Sequence, residues 1–338
     1  MKLDKKDIRI LELLSINCRY STKDIAKAVN LSKDAIRYRI NNLIKNKYLY
    51  KFITLINFSS FGYDQYYISL QLQNLTSTKE KIIIERLRKN SNVFFLVKTS
   101  GRWDFFIGLA CKDTLEFEKT LRQVYSICGA NLLDSESVIW IKDYKYTHTI
   151  EGIKLGTVLR YKNRDPSFSK ELFGKKKEFE IKKVKIDKKD LRILKVLAEN
   201  PRIELKELGR KTKLTGEGVR YRIRRLIEKE VILGFTAIPN YFKLGYQSFF
   251  LLGQAKNLTA EKEKKLQSFL QQKDYTVISF KTIGKYDILI SISVKDLEEF
   301  NKILTEIKEN LSGIIQTYET LPLLDWYKYT LFPKGLYN

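Results

Sequence analysis

The chain has 338 residues, with 63 Lys plus Arg against 39 Asp plus Glu and a formal net charge of +24. Hydrophobic residues make up 43%, enough for several packed cores and too much for a disordered chain. One histidine and three scattered cysteines (Cys18, Cys111, Cys128) exclude most zinc sites, disulfide frameworks and histidine-dependent acid–base chemistry, and fit a reducing cytoplasm.

At roughly 100–200 residues per domain, this length predicts two to four compact units. The opening MKLDKKDIRI has no apolar segment of the signal-peptide kind, and no apolar run approaches the ~20 residues of a membrane span. The surplus positive charge implies a polyanionic partner, either nucleic acid or an anionic membrane surface. Where the charge sits decides between them.

The chain repeats itself at a shift of 183 residues, without a gap. Asp4-Lys5-Lys6-Asp7 returns as Asp187-Lys188-Lys189-Asp190, and Arg37-Tyr38-Arg39-Ile40 as Arg220-Tyr221-Arg222-Ile223. Gly101-x-x-Asp104 returns as Gly284-x-x-Asp287, and Tyr144-Lys145-Tyr146-Thr147 as Tyr327-Lys328-Tyr329-Thr330. So long a period is a duplicated multi-part protein rather than a solenoid unit.

In the first copy, residues 5–15 predict an amphipathic helix with Ile8, Leu11 and Leu14 on one stripe. Ser21 is placed to cap a short second helix over 22–29, and Ser32 a third helix running to about Lys45. Three helices with a tight turn before the third form a helix-turn-helix. On the third helix Ile36, Ile40, Leu43 and Ile44 form the expected buried stripe. Tyr38, Asn41 and Asn42 then point outward, with Arg37 and Arg39 on the flanks and Ser32-Lys33 at the start. Arginine and tyrosine on such a face suit phosphate contact and base-edge readout.

Next comes a strand over 48–58, either a wing or a connector. Ile68, Leu70 and Leu72 then alternate with Ser69, Gln71 and Gln73, a half-buried strand. A helix over about 79–89 is expected to open with a Ser77…Glu80 capping box. Strands over 93–99 and 103–112, a helix announced by Asp113…Glu116, and a strand over about 135–141 complete a β-α-β-β-α-β order, which is ferredoxin-like. Gly101 falls in the hairpin between the two middle strands, followed by Trp103-Asp104. That tripeptide is either turn chemistry with an Asp bonding backbone amides, or part of a ligand site. Phe105 and Phe106, on opposite sides of one strand, suggest that both sheet faces are buried, the second against the other copy.

Residues 151–185 have no counterpart. They predict a short strand over 156–161, a turn at Asp165-Pro166 and a Lys175-Lys176-Lys177 run.

In the second copy, Thr215 is the expected cap of the third helix, and Val219, Ile223, Leu226 and Ile227 its buried stripe. Tyr221, Arg224 and Arg225 point outward, Arg220 and Arg222 flank them, and Gly216-Glu217-Gly218 would allow close approach. A strand over 231–238 follows, then the second ferredoxin-like set with Gly284, Tyr286 and Asp287 in its hairpin and a final strand over about 316–324.

The charge follows this division. Residues 1–60 carry 13 basic and 5 acidic side chains, 186–245 carry 15 and 8, and 151–185 carry 11 and 5. Residues 61–150 carry 12 and 10, and 246–338 carry 12 and 11. Nearly all of the excess therefore sits on the helix-turn-helix segments and the linker, which favours nucleic acid.

Each copy resembles the leucine-responsive regulatory protein (Lrp/AsnC) family of prokaryotic transcription regulators. The residues carrying the likeness are Leu3-Asp4…Asp7-x-x-Ile10-Leu11, Leu31-Ser32…Ile36-Arg37-x-Arg39-Ile40-x-x-Leu43 and Thr99-x-Gly101-x-Trp103-Asp104. In the second copy they are Ile186-Asp187…Asp190, Leu214-Thr215…Val219-Arg220-x-Arg222-Ile223-x-Arg225-Leu226 and Gly284-x-Tyr286-Asp287. The resemblance implies a winged helix-turn-helix followed by a ligand-sensing, dimerising domain. It also implies an amino acid or related effector near Gly101, Trp103, Asp104, Gly284, Tyr286 and Asp287. Where the family usually has glycine just past the third helix, this chain has Lys47 and Glu230. A left-handed stop there costs a non-glycine residue about 1 kcal/mol, so another exit route is expected.

The reading is an α+β chain of two copies, each a winged helix-turn-helix plus a ferredoxin-like domain. Its parts are 1–60, 61–150, a basic linker 151–185, 186–245 and 246–333. The expected function is a cytoplasmic, non-enzymatic transcription regulator of double-stranded DNA. The copies pair within the chain and chains assemble further, with no membrane partner, no metal and no cofactor. Two alternatives stand beside it. One is an architectural DNA coater. The other is a sirohaem decarboxylase-like enzyme, whose histidine-rich chemistry a chain with only His148 does not match.

Overall fold

The computed structural model describes residues 3–146 and 184–336. The strand and turn expected over 156–166, the lysine run at 175–177 and His148 lie outside the described residues.

The first copy comprises α1 (Lys5–Ile16), α2 (Thr22–Val29), α3 (Lys33–Lys45), β1 (Leu49–Ile56), β2 (Asp64–Leu72), α4 (Ser77–Lys89), β3 (Val93–Thr99), β4 (Phe105–Cys111), α5 (Thr114–Cys128) and β5 (Leu132–Tyr146). The second comprises α6 (Lys188–Glu199), α7 (Leu205–Thr212), α8 (Gly216–Glu228), β6 (Ile232–Pro239), β7 (Gln247–Ala255), α9 (Ala260–Gln272), β8 (Thr276–Gly284), β9 (Ile288–Val294), α10 (Leu297–Leu311) and β10 (Ile315–Tyr329). These elements gather into two compact units, residues 3–60 with 184–245, and 61–146 with 246–336.

The first unit holds both helix-turn-helix segments. Asp4 and Asp7 form a capping box that starts α1, and Asp187 and Asp190 do the same for α6. The turn into α3 passes through Asn30, left-handed at φ 54°, and the turn into α8 through Lys213 at φ 58°. At Gly209 in α7 a Cβ would stand 2.6 Å from the Leu214 carbonyl oxygen, so the second copy's turn is built around a missing side chain. Ile36, Ile40 and Leu43 are buried as expected, but Ile44 is 44% exposed. The stripe is narrower than its apolar sequence suggests, because α3 turns Ile44 toward solvent as it ends.

The strand after α3 serves neither copy alone. β1 pairs antiparallel with β6, from Leu49 opposite Pro239 to Ile56 opposite Ile232. Side chains lock the exchange reciprocally. Thr54 Oγ1 donates to the Leu197 carbonyl at 2.7 Å, and Thr236 Oγ1 to the Ser15 carbonyl at 2.5 Å. Arg19 Nη1 donates to the Pro201 carbonyl at 2.6 Å, and Arg202, its equivalent, to the Cys18 carbonyl. The same arginines lie over Phe235 and Phe52, each 5.3 Å from the ring centre. Each copy thus closes its own helices with help from the other copy's strand.

The second unit is a closed eight-stranded barrel in the order β10-β3-β4-β2-β5-β8-β9-β7. Within each copy the strand order is ferredoxin-like, and β5–β8 and β10–β3 are the joints between copies. The last strand of each copy is longer than its alternation indicates. Its extra residues, Lys142–Tyr146 and Asp325–Tyr329, pair across the joints and close the barrel. Helices cover the outside: α4 and α5 over Ile68, Leu70, Phe105, Ile107 and Leu109, and α9 and α10 over Ile288, Ile290, Ile292 and Val294. Phe106 faces the other way, into the barrel, where it meets Phe250 with ring centres 5.2 Å apart. Tyr67 stacks there on Phe106 and on Phe280, at 5.4 and 4.9 Å. The interior is therefore an aromatic core shared by both copies. One cap differs from expectation: Thr76, not Ser77, accepts the Lys79 amide at the start of α4.

Candidate nucleic-acid interface

The third helix of each triplet carries the expected DNA-reading residues. Ser32 Oγ caps α3 by accepting the Ala35 amide at 3.1 Å, and Thr215 Oγ1 caps α8 by accepting the Gly218 amide at 3.0 Å. Both caps are exposed, as is Lys33 beside Ser32. Tyr38 and Tyr221 are 68% and 65% exposed, far more than a structural tyrosine needs. Arg37 is exposed and pairs with the exposed Asp34 at 3.2 Å, a contact worth little in water. Asn41 and Arg224, at equivalent positions, are also exposed, while Asn42 and Arg220 are half-buried.

The other three arginines are engaged elsewhere. Arg39 Nη1 lies 2.8 Å from Asp4 and 2.6 Å from Asp7, whose side chain is only 4% exposed. Arg222 Nη1 lies 2.7 Å from Asp187 and 2.8 Å from the buried Asp190. Arg225 Nη2 also reaches Asp190. Burial works against the Asp187 charge, but the Arg222 hydrogen bond and the Asp190 amide outweigh it and bring the carboxyl down to about 2. The Asp7 amide, and then Arg39, lower Asp4 as well. Arg39, Arg222 and Arg225 thus fasten the reading helix to the N-terminus of the first helix, a use that reading the third helix alone does not show. The repeated Asp-Lys-Lys-Asp signals it: its second aspartate is buried in both copies and needs a cation.

The hairpin residues meet inside the second unit. Trp103 is fully buried, and its Nε1 lies 3.4 Å from Tyr286 Oη and 3.3 Å from Glu319 Oε2. Tyr286 Oη donates to the same Glu319 oxygen at 2.8 Å, and burial raises the Tyr286 pKa. Asp104 accepts the Leu72 amide at 2.6 Å, and Asp287 the Ala255 amide at 2.7 Å. Both aspartates therefore bond a backbone amide of the neighbouring strand, at the ends of β2 and β7. Gly101 has φ +101°. A Cβ at Gly284 would sit 2.8 Å from the Ser137 carbonyl oxygen. Three residues outside the expected set complete the cluster. Arg102 lies over the Trp103 ring and 3.2 Å from Glu319, and Lys285 lies 3.7 Å from the same carboxylate. A basic residue after each hairpin glycine is a visible signal for the first two, whereas nothing in the sequence marks Glu319.

Residues 3–44 match the AsnC-type helix-turn-helix domain, and residues 186–232 a winged helix-turn-helix DNA-binding domain. The HTH-type transcriptional regulator Ptr1 of Methanocaldococcus jannaschii is 34% identical over 121 residues, 36% of this chain and 80% of Ptr1. The chain belongs to the Lrp/AsnC family. Another relative, the HTH-type transcriptional regulator FL11 of Pyrococcus abyssi, is 32% identical over 142 residues, 42% of this chain and 91% of FL11. Each regulator thus aligns with less than half of the chain, as expected for a duplication of the Lrp/AsnC unit. The crystal structure of the siroheme decarboxylase NirDL matches 96% of this chain and 93% of its own at 12% identity, with a TM-score of 0.57. That likeness is one of fold, in which the tandem arrangement recurs. This Lrp/AsnC protein is a DNA-binding transcription regulator with two helix-turn-helix segments on one chain. Among the described residues no helix is long and apolar enough to cross a membrane.

Proposed function

We propose that the chain reads two unlike DNA half-sites with two unequal heads. The supporting observation is the pair of exposed tyrosines, Tyr38 and Tyr221, at equivalent positions on reading helices whose other outward residues differ. The first head uses Ser32, Lys33, Arg37, Tyr38, Asn41 and Asn42; the second uses Thr215, Arg220, Tyr221 and Arg224. Arg39, Arg222 and Arg225 act as positioning residues through their aspartate partners. The boundaries 1–60 and 186–245 then delimit DNA-binding domains, 61–150 and 246–333 the sensing pair, and 151–185 a basic linker. Genome-wide DNA pull-down followed by footprinting tests this. Discrete sites with two unlike halves are expected; uniform coverage would instead make the protein an architectural coater.

An amino-acid effector belongs to the same proposal. Arg102 lies between Glu319 and the exposed Asp134, and Lys285 also faces Glu319. An effector carboxylate would take the place of Asp134 on Arg102, since an exposed pair of that kind holds weakly in water. A thermal-shift screen of the amino acids should find at least one stabilising ligand, with the shift lost in Arg102→Gln; a screen without any shift removes the effector. The single histidine of the chain supports a non-enzymatic role, which predicts an unchanged sirohaem absorption spectrum on mixing.

A further inference from the structure

The outer helices of the two ferredoxin-like halves carry different charges. Between α4 and α5 lies an open cleft of about 670 Å³ lined by Arg86, Lys89, Asn90, Lys119, Arg122 and Gln123. All four cations are exposed. Arg122 pairs with Glu118, while Arg86, Lys89 and Lys119 form no ion pair among the described residues. Asn90 Nδ2 donates to Gln123 Oε1 at 3.1 Å and ties the two helices together across the cleft floor. At one end, Lys328 Nζ donates to the Arg88 and Asn90 carbonyls at 2.7 and 2.9 Å. Burial brings Lys328 down to about 8, with a smaller contribution from the nearby Arg88 and Lys334.

The second copy does not repeat this surface. The positions equivalent to Arg86, Lys89, Lys119 and Arg122 are Phe269, Gln272, Lys302 and Thr305, and Gln123 and Ser126 become Glu306 and Glu309. Lys302 is paired with Glu298 at 2.6 Å. A basic surface serving only solubility would have no reason to be confined to one half.

We propose that the α4–α5 cleft is an additional DNA contact, binding the phosphate backbone without reading sequence. This inference rests on the DNA-binding reading above. The unpaired cations are long, hydrated and exposed, and the cleft is open. Those features suit a row of spaced phosphates better than one enclosed anion.

Salt dependence tests it on the full chain with a long mixed-sequence duplex. Each phosphate neutralised contributes about −0.9 to the slope of log K against log salt. The triple variant Arg86→Gln/Lys89→Gln/Lys119→Gln should therefore lose about 2.7 from the magnitude of that slope. Lys302→Gln, on the opposite half, should lose nothing. A triple variant with the wild-type slope overturns the proposal. So does a wild-type slope combined with lost binding to phosphatidylserine vesicles, which would assign the cleft to a membrane surface. A wild-type protein that binds no duplex at all would instead remove the DNA-binding reading itself.

Discussion

In the first copy a single guanidinium, Arg39, spans Asp4 and Asp7; in the second, Arg222 and Arg225 share Asp187 and Asp190. The added arginine occupies the position of Asn42. Counted from sequence, the second reading helix has two more outward arginines than the first. In the structure one of the two is drawn back onto Asp190, so of this pair only Arg224, against Asn41, remains exposed on the outward face. Formal charge on a helix overstates the charge free for a ligand wherever a buried carboxylate lies within reach.

The comparison breaks most readily at Arg39. Arg39→Gln leaves Asp7 buried without a cation and should cost about 3 kcal/mol. Arg222→Gln leaves Arg225 on Asp190 and should cost about 1.5 kcal/mol, the low end of the range for a hydrogen bond to a charged group. Urea unfolding of the two variants measures both. Equal losses would mean that Arg225 gives no support, and that it belongs to the DNA face after all.

The barrel holds a second unequal pair, Asp143 and its equivalent Trp326. Asp143 accepts the Trp140 indole N–H at 2.9 Å. Burial raises its carboxyl to about 6, and the indole hydrogen bond offsets only part of this. Because the folded state holds this proton more tightly than the unfolded chain does, stability should fall as pH rises from about 4 to about 6 and stay low above that. Asp143→Asn keeps an acceptor for Trp140 and removes the charge. It should flatten that window and gain up to about 3 kcal/mol at pH 7. Thermal melts across the window decide the matter, and a wild-type profile already flat would show that the carboxylate is well solvated.

The local features were legible because they depend on neighbours in sequence. Helix caps at Ser21, Ser32 and Thr215, the outward tyrosines and the alternation of Ile288, Ile290, Ile292 and Val294 all follow from short-range periodicity. What escaped the sequence is long-range. No residue in 48–58 says that its partner strand lies in the other copy, since period-2 alternation fixes a face and not a partner. The over-long closing strands have the same cause, as their ends alternate only with respect to a barrel joint. Trp103 and Asp104 were visible as a motif, but whether an aromatic and an acid in a hairpin bind ligand or bind backbone depends on Glu319 and on the Leu72 amide, both distant in the chain or silent in pattern.

The smallest expected effect concerns a feature on which the copies agree. The sequence, lacking glycine after each reading helix, pointed to a different exit. Instead Lys47 and Glu230 take the left-handed conformation, at φ 59° and 57°. The reason is in the hydrogen bonds. Tyr48 donates to the Leu43 carbonyl and Lys47 to that of Ile44, and Val231 and Glu230 repeat the pattern with Leu226 and Ile227. Two terminal carbonyls are satisfied at each helix end, and the apolar residue that follows is aimed at the start of β1 or β6. That gain exceeds the strain of a Cβ in this region, about 1 kcal/mol. Lys47→Gly and Glu230→Gly should each recover somewhat less than 1 kcal/mol, because glycine also loosens the unfolded chain. Since the two ends are built alike, the two gains should match; a gain in one copy alone would show that the helix ends are held by different forces.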